Sequence, residues 1–394
     1  MVDPVPQLED LELRRGTRVL LRADFNVPMH DGRIDDDLRI TSAIPTIEYL
    51  RSRGASVVCC SHLGRPKGNV DPKYSLAPVA ARLSELLGTS VALSPEVVGF
   101  ESMHRAESLD PGEIMMIENL RFDPGEEAND PAFSANLTEL GDVYVDDAFG
   151  AAHRAHASIV GPPVVLPAAA GRLLAREVEV LGGLLDHPKQ PFVGILGGVK
   201  VSDKLGVIDA LLERCDRLLI GGAMAFTFLA AGGGRVGDSL VQDDQLDHCR
   251  ELLKDARIDV PTDVVAAAEM TADAQTRHVG ATNIPDGLKG LDIGPETAGR
   301  YADTIAGAAT VLWNGPMGVF ELEPFAAGTR TVAQAVADCR GFTVIGGGDS
   351  ASAAKVFGVA DRIDHVSTGG GASLELIELG DLPGLQALRK GSRR

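Results

Sequence analysis

The sequence has few of the features that mark membrane or secreted proteins. No apolar run is long enough to span a bilayer, and the first residues lack a basic region followed by an apolar stretch. The five cysteines form no C-x-x-C pair and have no metal-ligand spacing. From these absences we expect a protein of a reducing compartment, with a cytoplasmic location and no membrane partner.

Positive charge is also scarce. The chain has 37 lysines and arginines against 56 aspartates and glutamates, which gives a net charge of −19. This excess argues against a general nucleic-acid surface, so we expect no nucleic-acid partner. A polyanionic ligand must therefore be bound by a local cluster of cations, because the overall field would repel it.

The length of 394 residues favours two or three domains over one core. Apolar β-rich runs alternate with segments of helical period, which is the pattern of parallel sheets with crossover helices. The fold class predicted is α/β, with two doubly wound, Rossmann-like parallel-sheet domains joined by an interdomain helix. We predict an N-terminal domain over 1–170, this helix over 171–186 and a C-terminal domain over 187–380. We also predict a C-terminal tail over 381–394, which can return to the N-terminal domain and pack there.

The individual elements follow from the same patterns. Predicted strands are 19–23, 56–60, 114–117 and 143–145 in the first half, and 192–196, 217–220, 263–267, 310–313 and 342–345 in the second. Predicted helices are 40–52, 76–87 and 132–140, then 172–185 as the connecting helix, and 205–214, 242–255, 296–306 and 330–337.

Ligands of an open parallel sheet lie beyond the carboxyl ends of its strands, so the residues after each strand are candidate binding groups. In the first half these positions carry polar or basic side chains, and in the second half they are mostly glycines. The planar guanidinium group of arginine can donate two parallel hydrogen bonds, which suits a small phosphorylated carboxylic acid. Glycine turns that open helices suit a longer polyphosphate. The sequence therefore predicts two different anion sites, one in each half.

The segment after the strand at 192–196 is a further phosphate candidate. Gly197 and Gly198 permit close approach of an anion, and we expect Lys200 and Lys204 to share one face at the start of a helix. It is not a Walker A loop, since no G-x-x-x-x-G-K-[ST] occurs. An ordinary strand-to-helix turn with solvated lysines is the alternative.

Eight segments together resemble phosphoglycerate kinases over essentially the full chain. The segments are RADFNVP at 22–28, SHLGRP at 61–66, ENLRF at 118–122, DAFGAAHR at 147–154, GGVKVSDK at 197–204, WNGPMGVFE at 313–321, GGGDSA at 346–351 and TGGGAS at 368–373. The resemblance implies reversible phosphoryl transfer between 1,3-bisphosphoglycerate with ADP and 3-phosphoglycerate with ATP, a reaction of glycolysis and gluconeogenesis that requires magnesium. It also implies a monomer.

The resemblance assigns the site residues position by position. The implied phosphoglycerate-binding set is Asp24, Asn26, Arg39, His62, Leu63, Gly64, Arg65, Arg121 and Arg154. The implied nucleotide-binding set is Gly198, Lys204, Gly222, Gly290, Asn314, Glu321, Gly347, Gly348, Asp349 and Ser350. The implied metal residue is Asp349, which would hold Mg²⁺ together with the nucleotide phosphates. The implied catalytic groups are Arg39, Lys200, Gly370 and Gly371.

Small departures from the family pattern occur at Val199, Ser202 and Ser350, where Ser350 stands in place of a common threonine. Since Ser350 keeps a hydroxyl, we expect it to retain a helix-capping and phosphate-binding role.

The implied chemistry suits these residue types. The acceptor carboxylate is ionised near neutral pH, since a carboxyl group titrates near pH ~4, so no general base is needed. The sequence accordingly contains neither an H-R-D catalytic loop nor a Ser-His-Asp arrangement. Charge neutralisation and alignment remain as the requirements, and we expect binding of both substrates to draw the two halves together.

Two other functions stay open from the residues alone. Residues 346–351 fit a relaxed G-x-G-x-x-A fingerprint of a dinucleotide-dependent dehydrogenase, although Asp349 would repel a pyrophosphate that lacks a cation. The second alternative is a binding module that holds a phosphorylated acid and catalyses no reaction. This alternative would leave Lys200 and Lys204 without a role.

Overall fold

The computed structural model describes residues 2–391, which form two compact units. One unit contains the described residues up to Gly182 together with those from Leu379 onward, and the other is Gly183–Glu378. The last three residues of the predicted tail lie outside the described residues. Within residues 2–391 no helix is both long and apolar enough to cross a bilayer.

The first unit is built around one parallel sheet. Its strands are β1 (Arg18–Ala23), β2 (Met29–His30), β3 (Arg33–Ile34), β4 (Ser56–Cys60), β5 (Val91–Leu93), β6 (Ile114–Met116), β7 (Val143–Asp147) and β8 (Ala168–Ala170). Its helices are α1 (Leu38–Ser52), α2 (Ala77–Leu87), α3 (Phe100–Glu107), α4 (Pro124–Ala128), α5 (Pro131–Thr138) and α6 (Ala157–Val160), followed by α7 (Arg172–Asp186), in which the division between the units falls. The six-stranded sheet has the order β5-β6-β4-β1-β7-β8, and β2 and β3 form a small hairpin.

The second unit repeats this plan with an addition. Its strands are β9 (Phe192–Leu196), β10 (Arg217–Ile220), β11 (Arg235–Val236), β12 (Ile258–Asp259), β13 (Asp263–Ala267), β14 (Arg277–Gly280), β15 (Asn283–Ile284), β16 (Lys289–Ile293), β17 (Thr310–Asn314), β18 (Phe342–Gly346) and β19 (His365–Val366). Its helices are α8 (Leu205–Leu212), α9 (Ala225–Ala231), α10 (Leu246–Leu252), α11 (Pro295–Ala306), α12 (Ala327–Asp338), α13 (Gly348–Val356) and α14 (Gly371–Leu379). The parallel sheet has the order β12-β10-β9-β17-β18-β19.

The central strands are buried because helices cover both faces of each sheet. All five residues of β4, β7, β9 and β17 are buried. In the first unit, Val19 and Leu21 of β1 pack in one core with Ile40 and Ile47 of α1. The last helix, α15 (Pro383–Gly391), packs on α6 in the same unit, where the amide of Gly384 donates to the carbonyl of Ala152 at 2.9 Å. Burial on both faces thus fixes the carboxyl ends of the strands in place.

The α/β prediction with two parallel sheets is confirmed, and several details are wrong. The strand at 263–267 forms as predicted but belongs to an antiparallel sheet of order β14-β13-β16, outside the parallel sheet. The helix predicted over 242–255 is α-helical only at Leu246–Leu252, after a short 3-10 helix at Asp243–Gln245. Hydrophobic patterning identifies a strand, but it specifies neither the partner of that strand nor whether the pairing is parallel or antiparallel.

Candidate active site

The carboxyl end of β1 positions an ion pair. Asp24 directly follows the strand and is 5% exposed, and its Oδ2 accepts a hydrogen bond from Nη1 of Arg39 on the first turn of α1. Burial opposes ionisation of Asp24, but the charges of Arg39 and Arg22 and the backbone hydrogen bond from Asn26 hold its pKa below the ordinary value. The carboxylate therefore stays charged and orients the Arg39 guanidinium.

Two side chains join the loops that follow β1 and β4. The Oδ1 atom of Asn26 accepts a hydrogen bond from the amide of Gly64 at 2.9 Å. The hydroxyl of Ser61 accepts one from the amide of Phe25 at 2.8 Å. Gly64 has a φ of +59°, and a Cβ atom there would lie 2.4 Å from the ring of Tyr74. A side chain is excluded at this position, so the loop can turn only with glycine.

His62 lies between the cations of this cluster. The residue is buried, and its Nδ1 lies 3.1 Å from Nη2 of the fully buried Arg22. Burial, followed by the charge of Arg22, lowers the pKa of His62 well below its ordinary value. The imidazole is therefore neutral and can bind an anion only as a hydrogen-bond donor.

Arg121 comes to the same cluster from the loop after β6. Its Nη1 donates to the carbonyl of Gly64 at 2.8 Å, and its Nε lies 3.2 Å from Oε1 of Glu127. Burial lowers the pKa of Arg121, and the charges of Arg22 and Arg65 act in the same direction. These cations are thus close enough to repel one another, which is the electrostatic condition of an anion site.

The other residues of the predicted phosphoglycerate set lie around this cluster. Arg65 and Arg154 are exposed, and Leu63 is buried. Arg154 is near enough to His156 to contribute, after burial and the charges of Arg121 and Arg22, to a pKa of about 4 for that histidine. The first unit thus brings Asp24, Arg39, His62 and Arg121 together, with two further arginines accessible to solvent.

The second unit has a cavity of about 340 Å³, lined largely by glycines and polar residues, at the carboxyl ends of β9, β17 and β18. Most of the predicted phosphate-binding positions line it. The lining includes Gly198, Lys200, Lys204, Asn314, Gly347, Gly348, Asp349, Ser350, Gly370 and Gly371. The starts of α13 and α14 both face the cavity, so unpaired backbone N–H groups and their partial positive charge are available to an anion.

Lys204 is the most strongly perturbed cation in this cavity. Its ammonium group donates a hydrogen bond to Oδ1 of Asn314, whose Nδ2 donates to the carbonyl of Gly346 at 2.7 Å. Burial lowers the pKa of Lys204 to about 8, although Asp349 and Asp203 favour the charged form. A bound polyphosphate would compensate the Lys204 ammonium for the hydration that it loses by burial. The charged form of this lysine is therefore more stable with an anion bound than without one.

Two predictions on these loops are wrong. Lys200 and Lys204 do not share a helical face, because α8 begins only at Leu205 and both lysines lie in the preceding loop. They reach the same cavity by a turn in which the amide of Lys204 donates to the carbonyl of Val201 at 2.9 Å. The hydroxyl of Ser350 does not cap α13, since it accepts a hydrogen bond from the amide of Gly315 and ties the helix to the loop after β17.

A larger, mainly apolar cavity of about 620 Å³ adjoins the cavity around Lys204. Gly198 and Asp349 line both cavities, and Gly222, Gly290 and Glu321 line the larger one. A Cβ atom at Gly290 would lie 2.1 Å from the ring of Phe226. The two cavities together have the character of a site for a ligand with a phosphate end and a flat apolar end.

The metal prediction depends on one carboxylate. Asp349 is exposed on the first turn of α13 and lines both cavities. Over residues 2–391 no group of three or more His, Cys, Asp or Glu side chains could hold a metal ion. A single exposed carboxylate beside a phosphate site fits Mg²⁺, which commonly uses one or two carboxylates together with substrate phosphates.

Several site residues were missed at the level of sequence. Asn119 accepts from the amides of Leu63 and Arg121 and donates to the carbonyl of Leu63, so it shapes both loops of the first-unit cluster. Asp292 lies at the wall of the larger cavity, where burial raises its pKa to about 8. Asn119 lies inside a recognised motif, which is the signal that could have identified it, whereas nothing local marks Asp292.

Two parallel-sheet units, one with an arginine cluster and one with lysines and open helix starts, define an α/β phosphotransferase of small molecules. The family model described as phosphoglycerate kinase matches residues 8–379. The chain belongs to the phosphoglycerate kinase family, a family of glycolytic enzymes that transfer a phosphoryl group to a carboxyl acceptor.

Individual relatives agree with this assignment. The chain is 53% identical over 390 residues to a phosphoglycerate kinase of Deinococcus radiodurans, covering 98% of this chain and 95% of the relative. It is 54% identical over 381 residues to one of Thermus thermophilus, covering 95% and 97%. The solved phosphoglycerate kinase of Coxiella burnetii superposes with a TM-score of 0.89 at 39% identity, with coverage of 98% and 99%.

Proposed function

We propose that this chain transfers a phosphoryl group between 1,3-bisphosphoglycerate and ADP, with the phosphoglycerate bound by the first-unit cluster and the magnesium nucleotide by the second-unit cavities. The observation that carries the proposal is the division of chemistry between the units. The first has side-chain cations around the Asp24–Arg39 pair, and the second has glycines and helix starts around Lys204. Small and large anions require these two different kinds of site.

In the proposed first-unit site, the arginines bind the phosphate and carboxyl oxygens of the substrate. Arg121, which is held by Gly64 and Glu127, offers a fixed guanidinium fork, and the exposed Arg65 and Arg154 are free to turn toward a ligand. Asn26, Leu63 and Gly64 shape the intervening loops. Asp24 acts through Arg39, or accepts a substrate hydroxyl with its second oxygen.

In the proposed second-unit site, Lys204 and the backbone at Gly347, Gly348 and Ser350 bind the nucleotide phosphates. The larger cavity, lined by Gly222, Gly290 and Glu321, receives the nucleoside. Asp349 holds Mg²⁺ together with phosphate oxygens. When bound, the ion neutralises charge on those oxygens.

The transfer itself needs no proton acceptor. An oxygen of the terminal phosphate of ADP attacks the phosphorus of the acyl phosphate, and the bond from that phosphorus to the carboxyl oxygen breaks. The leaving carboxylate is stable near neutral pH, since its pKa is about 4. Arg39, Lys200 and the N–H groups of Gly370 and Gly371 stabilise the charge on the transferred group.

Domain closure accompanies the reaction in this proposal. Reacting atoms must approach within about 3–3.5 Å, and charge stabilisation is strongest where water is excluded. Ligands held by separate units therefore have to be brought together in the reactive state. The enzyme acts as a monomer in this proposal. Its place is the cytoplasm, and the five unpaired cysteines suit a reducing compartment.

The decisive experiment is turnover of 3-phosphoglycerate with ATP and Mg²⁺, coupled to reduction of the acyl phosphate. We expect full activity only when all three are present. Binding of both ligands without turnover would contradict the proposed activity and favour a module that only binds them. A second assay uses Trp313, the only tryptophan, whose indole N–H donates to the carbonyl of Gly315. Its emission should respond to Mg·ADP, and a response to NAD alone would favour a dehydrogenase.

A further inference from the structure

A buried chain of hydrogen bonds lies behind the first-unit cluster, and Arg22 is its centre. The guanidinium donates from Nε to the hydroxyl of Ser158 at 2.9 Å and from Nη1 to the carbonyl of Ala23. The Ser158 hydroxyl in turn donates to Oε1 of Glu126 at 2.7 Å. Arg22, Ser158 and Glu126 are each at most 1% exposed, so no water competes for these contacts.

The third contact of Arg22 defines the protonation of a neighbour. Its Nη2 lies 3.1 Å from Nδ1 of His62. A guanidinium can only donate hydrogen bonds, so Nδ1 must present a lone pair. A neutral imidazole has one ring proton, which must then be on Nε2. A protonated ring would place two N–H groups against each other here.

The surroundings of His62 keep this arrangement in place. Burial, and then the charge of Arg22, lower its pKa, while Asp24 acts in the opposite sense. Arg121 and Arg39 also face the ring as charged groups. Three arginines against one carboxylate disfavour an imidazolium at neutral pH.

We propose that Arg22 is a positioning residue that fixes His62 as the neutral tautomer with its proton on Nε2, so that this N–H donates to an oxygen of the phosphoglycerate. The part of the proposal that concerns the substrate rests on the proposed function. The contacts made by Arg22 itself are side chain to side chain and side chain to backbone. Because Arg22 is 0% exposed, we place its effect on the substrate through His62 and not through a contact of its own.

The tautomer can be read directly by nitrogen NMR of the full-length protein labelled at its nine histidines. The variant His62→Gln identifies the signal of this ring. We expect Nε2 protonated and Nδ1 unprotonated from about pH 5.5 to 8, a range in which a free histidine would change charge. A proton on Nδ1, a mixture of tautomers, or an imidazolium would overturn the proposal.

Variants at Arg22 test the cause. Arg22→Lys keeps a group that only donates, so we expect it to preserve the Nε2–H form. Arg22→Gln introduces an amide that can both donate and accept, and we expect the second tautomer to be populated. Arg18→Gln, at the other end of β1 and paired with Asp142 on the surface, is the matched control and should leave the His62 signals unchanged. An unchanged tautomer in Arg22→Gln would overturn the role of Arg22.

Kinetics separate positioning from mere stability. We expect Arg22→Gln to raise KM for 3-phosphoglycerate by about 10- to 100-fold, the effect of losing a charge-assisted hydrogen bond, and to leave KM for ATP unchanged. In a His62→Gln background the same substitution should add little, because its effect passes through His62. Additive effects, or equal changes in both KM values, would show that Arg22 acts otherwise. If Arg22→Gln does not fold, the wild-type spectrum still decides the tautomer, and a mixture of tautomers in Arg22→Lys would contradict the role of Arg22.

The same sample distinguishes this proposal from the proposed function. Addition of 3-phosphoglycerate should shift the His62 Nε2–H signal. The expected tautomer without any response to the substrate would remove the substrate site and leave the Arg22–His62 relationship intact. A response to the substrate together with a different tautomer would support the substrate site and overturn the Arg22–His62 relationship.

Discussion

The ammonium of Lys204 donates a hydrogen bond to Oδ1 of Asn314, which joins the loop after β9 to the end of β17. Asn314 also holds the carbonyl of Gly346 through its Nδ2, at the end of β18. One amide side chain therefore links three loops of the proposed phosphate site. The lysine can exchange its contact with Asn314 for a phosphate without moving far from it.

The two lysines of this site should differ in their kinetic effects. Lys204 is partly buried and lies in the nucleotide cavity, so Lys204→Met should lower kcat and also raise KM for ATP. Lys200 is exposed and is assigned to the transferred group, so Lys200→Met should lower mainly kcat, by about a hundredfold. Steady-state kinetics with each substrate varied would measure both effects. Lys254→Met, which removes only a surface contact with Glu251, is the control. Equal patterns at Lys200 and Lys204 would contradict this division.

Nucleotide affinity should depend on pH through Lys204. Its pKa of about 8 means that the free protein loses this positive charge as the pH rises through 8. A bound polyphosphate favours the ammonium and raises that pKa, so binding takes up protons near pH ~8 and affinity falls above it. Calorimetry of Mg·ADP binding in two buffers of different ionisation heat would measure this uptake. Lys204→Met should abolish it, and an undiminished uptake in that variant would assign the proton elsewhere.

Loss of Arg39 should affect turnover strongly. Arg39 is paired with the buried Asp24 and is assigned to the transferred phosphoryl group, so Arg39→Ala should lower kcat by about a hundredfold or more. Turnover at saturating concentrations of both substrates is the measurement. Arg14→Ala, at an arginine of the same unit whose side chain is 85% exposed and pairs with Glu12, serves for comparison. Turnover near the wild-type value in Arg39→Ala would remove this residue from the transfer step.

Gly222 should tolerate no side chain. Its φ is +66°, and a Cβ atom would lie 2.4 Å from the nitrogen and 2.5 Å from the oxygen of Gly198. Gly222→Ala should therefore cost about 1–3 kcal/mol and raise KM for the nucleotide, since both glycines line the cavity. Urea unfolding followed by the emission of Trp313 reports on this unit.

A glycine elsewhere in the same unit provides the matched control for that substitution. Gly299 lies within α11 with nothing inside 4 Å of its Cβ position. Gly299→Ala should stabilise the helix by about 0.5–1 kcal/mol. The proposed constraint at Gly222 would be wrong if the two substitutions had the same effect on unfolding.

Binding of both substrates should make the molecule more compact. The proposed ligands belong to different units, and transfer requires their reacting groups to meet. Small-angle scattering should show a smaller radius of gyration with 3-phosphoglycerate and a non-hydrolysable Mg·ATP analogue together than without them. Identical dimensions in both states would count against closure.

Much of the fold was accessible from the sequence. The strands 56–60, 192–196, 217–220 and 263–267 were predicted with the boundaries that the structure has, because each is a short apolar run bounded by turn residues. Short elements with weak patterns, such as β5 and β8, were missed. The antiparallel pairing of β13 was missed as well, because its partners Arg277–Gly280 and Lys289–Ile293 give no local sign of direction.

The structure brings part of the predicted site residues together, and the predicted geometry was only partly right. Glycines 347 and 348, Lys204 and Asp349 do line one cavity. The common helical face of Lys200 and Lys204 was wrong, since a spacing of four residues has that meaning only inside a helix. The role of Arg22 depends on His62 and Ser158, which lie 40 and 136 positions away in the sequence. The role of Asn119 depends on the backbone of another loop, at Leu63.

The sequence by itself determined the fold class and the family, because these depend on local periodicity and on motifs that can be read along the chain. It also predicted the chemical character of the two proposed anion sites from the types of side chain at the strand ends. Only the tertiary structure decided which nitrogen of His62 faces Arg22, which carboxylate is held ionised, and why Lys204 has a lowered pKa. Those properties arise from burial and from charges brought together across the chain. The free energy of a buried charge depends on every neighbour within a few ångströms, and the order of residues does not specify those neighbours.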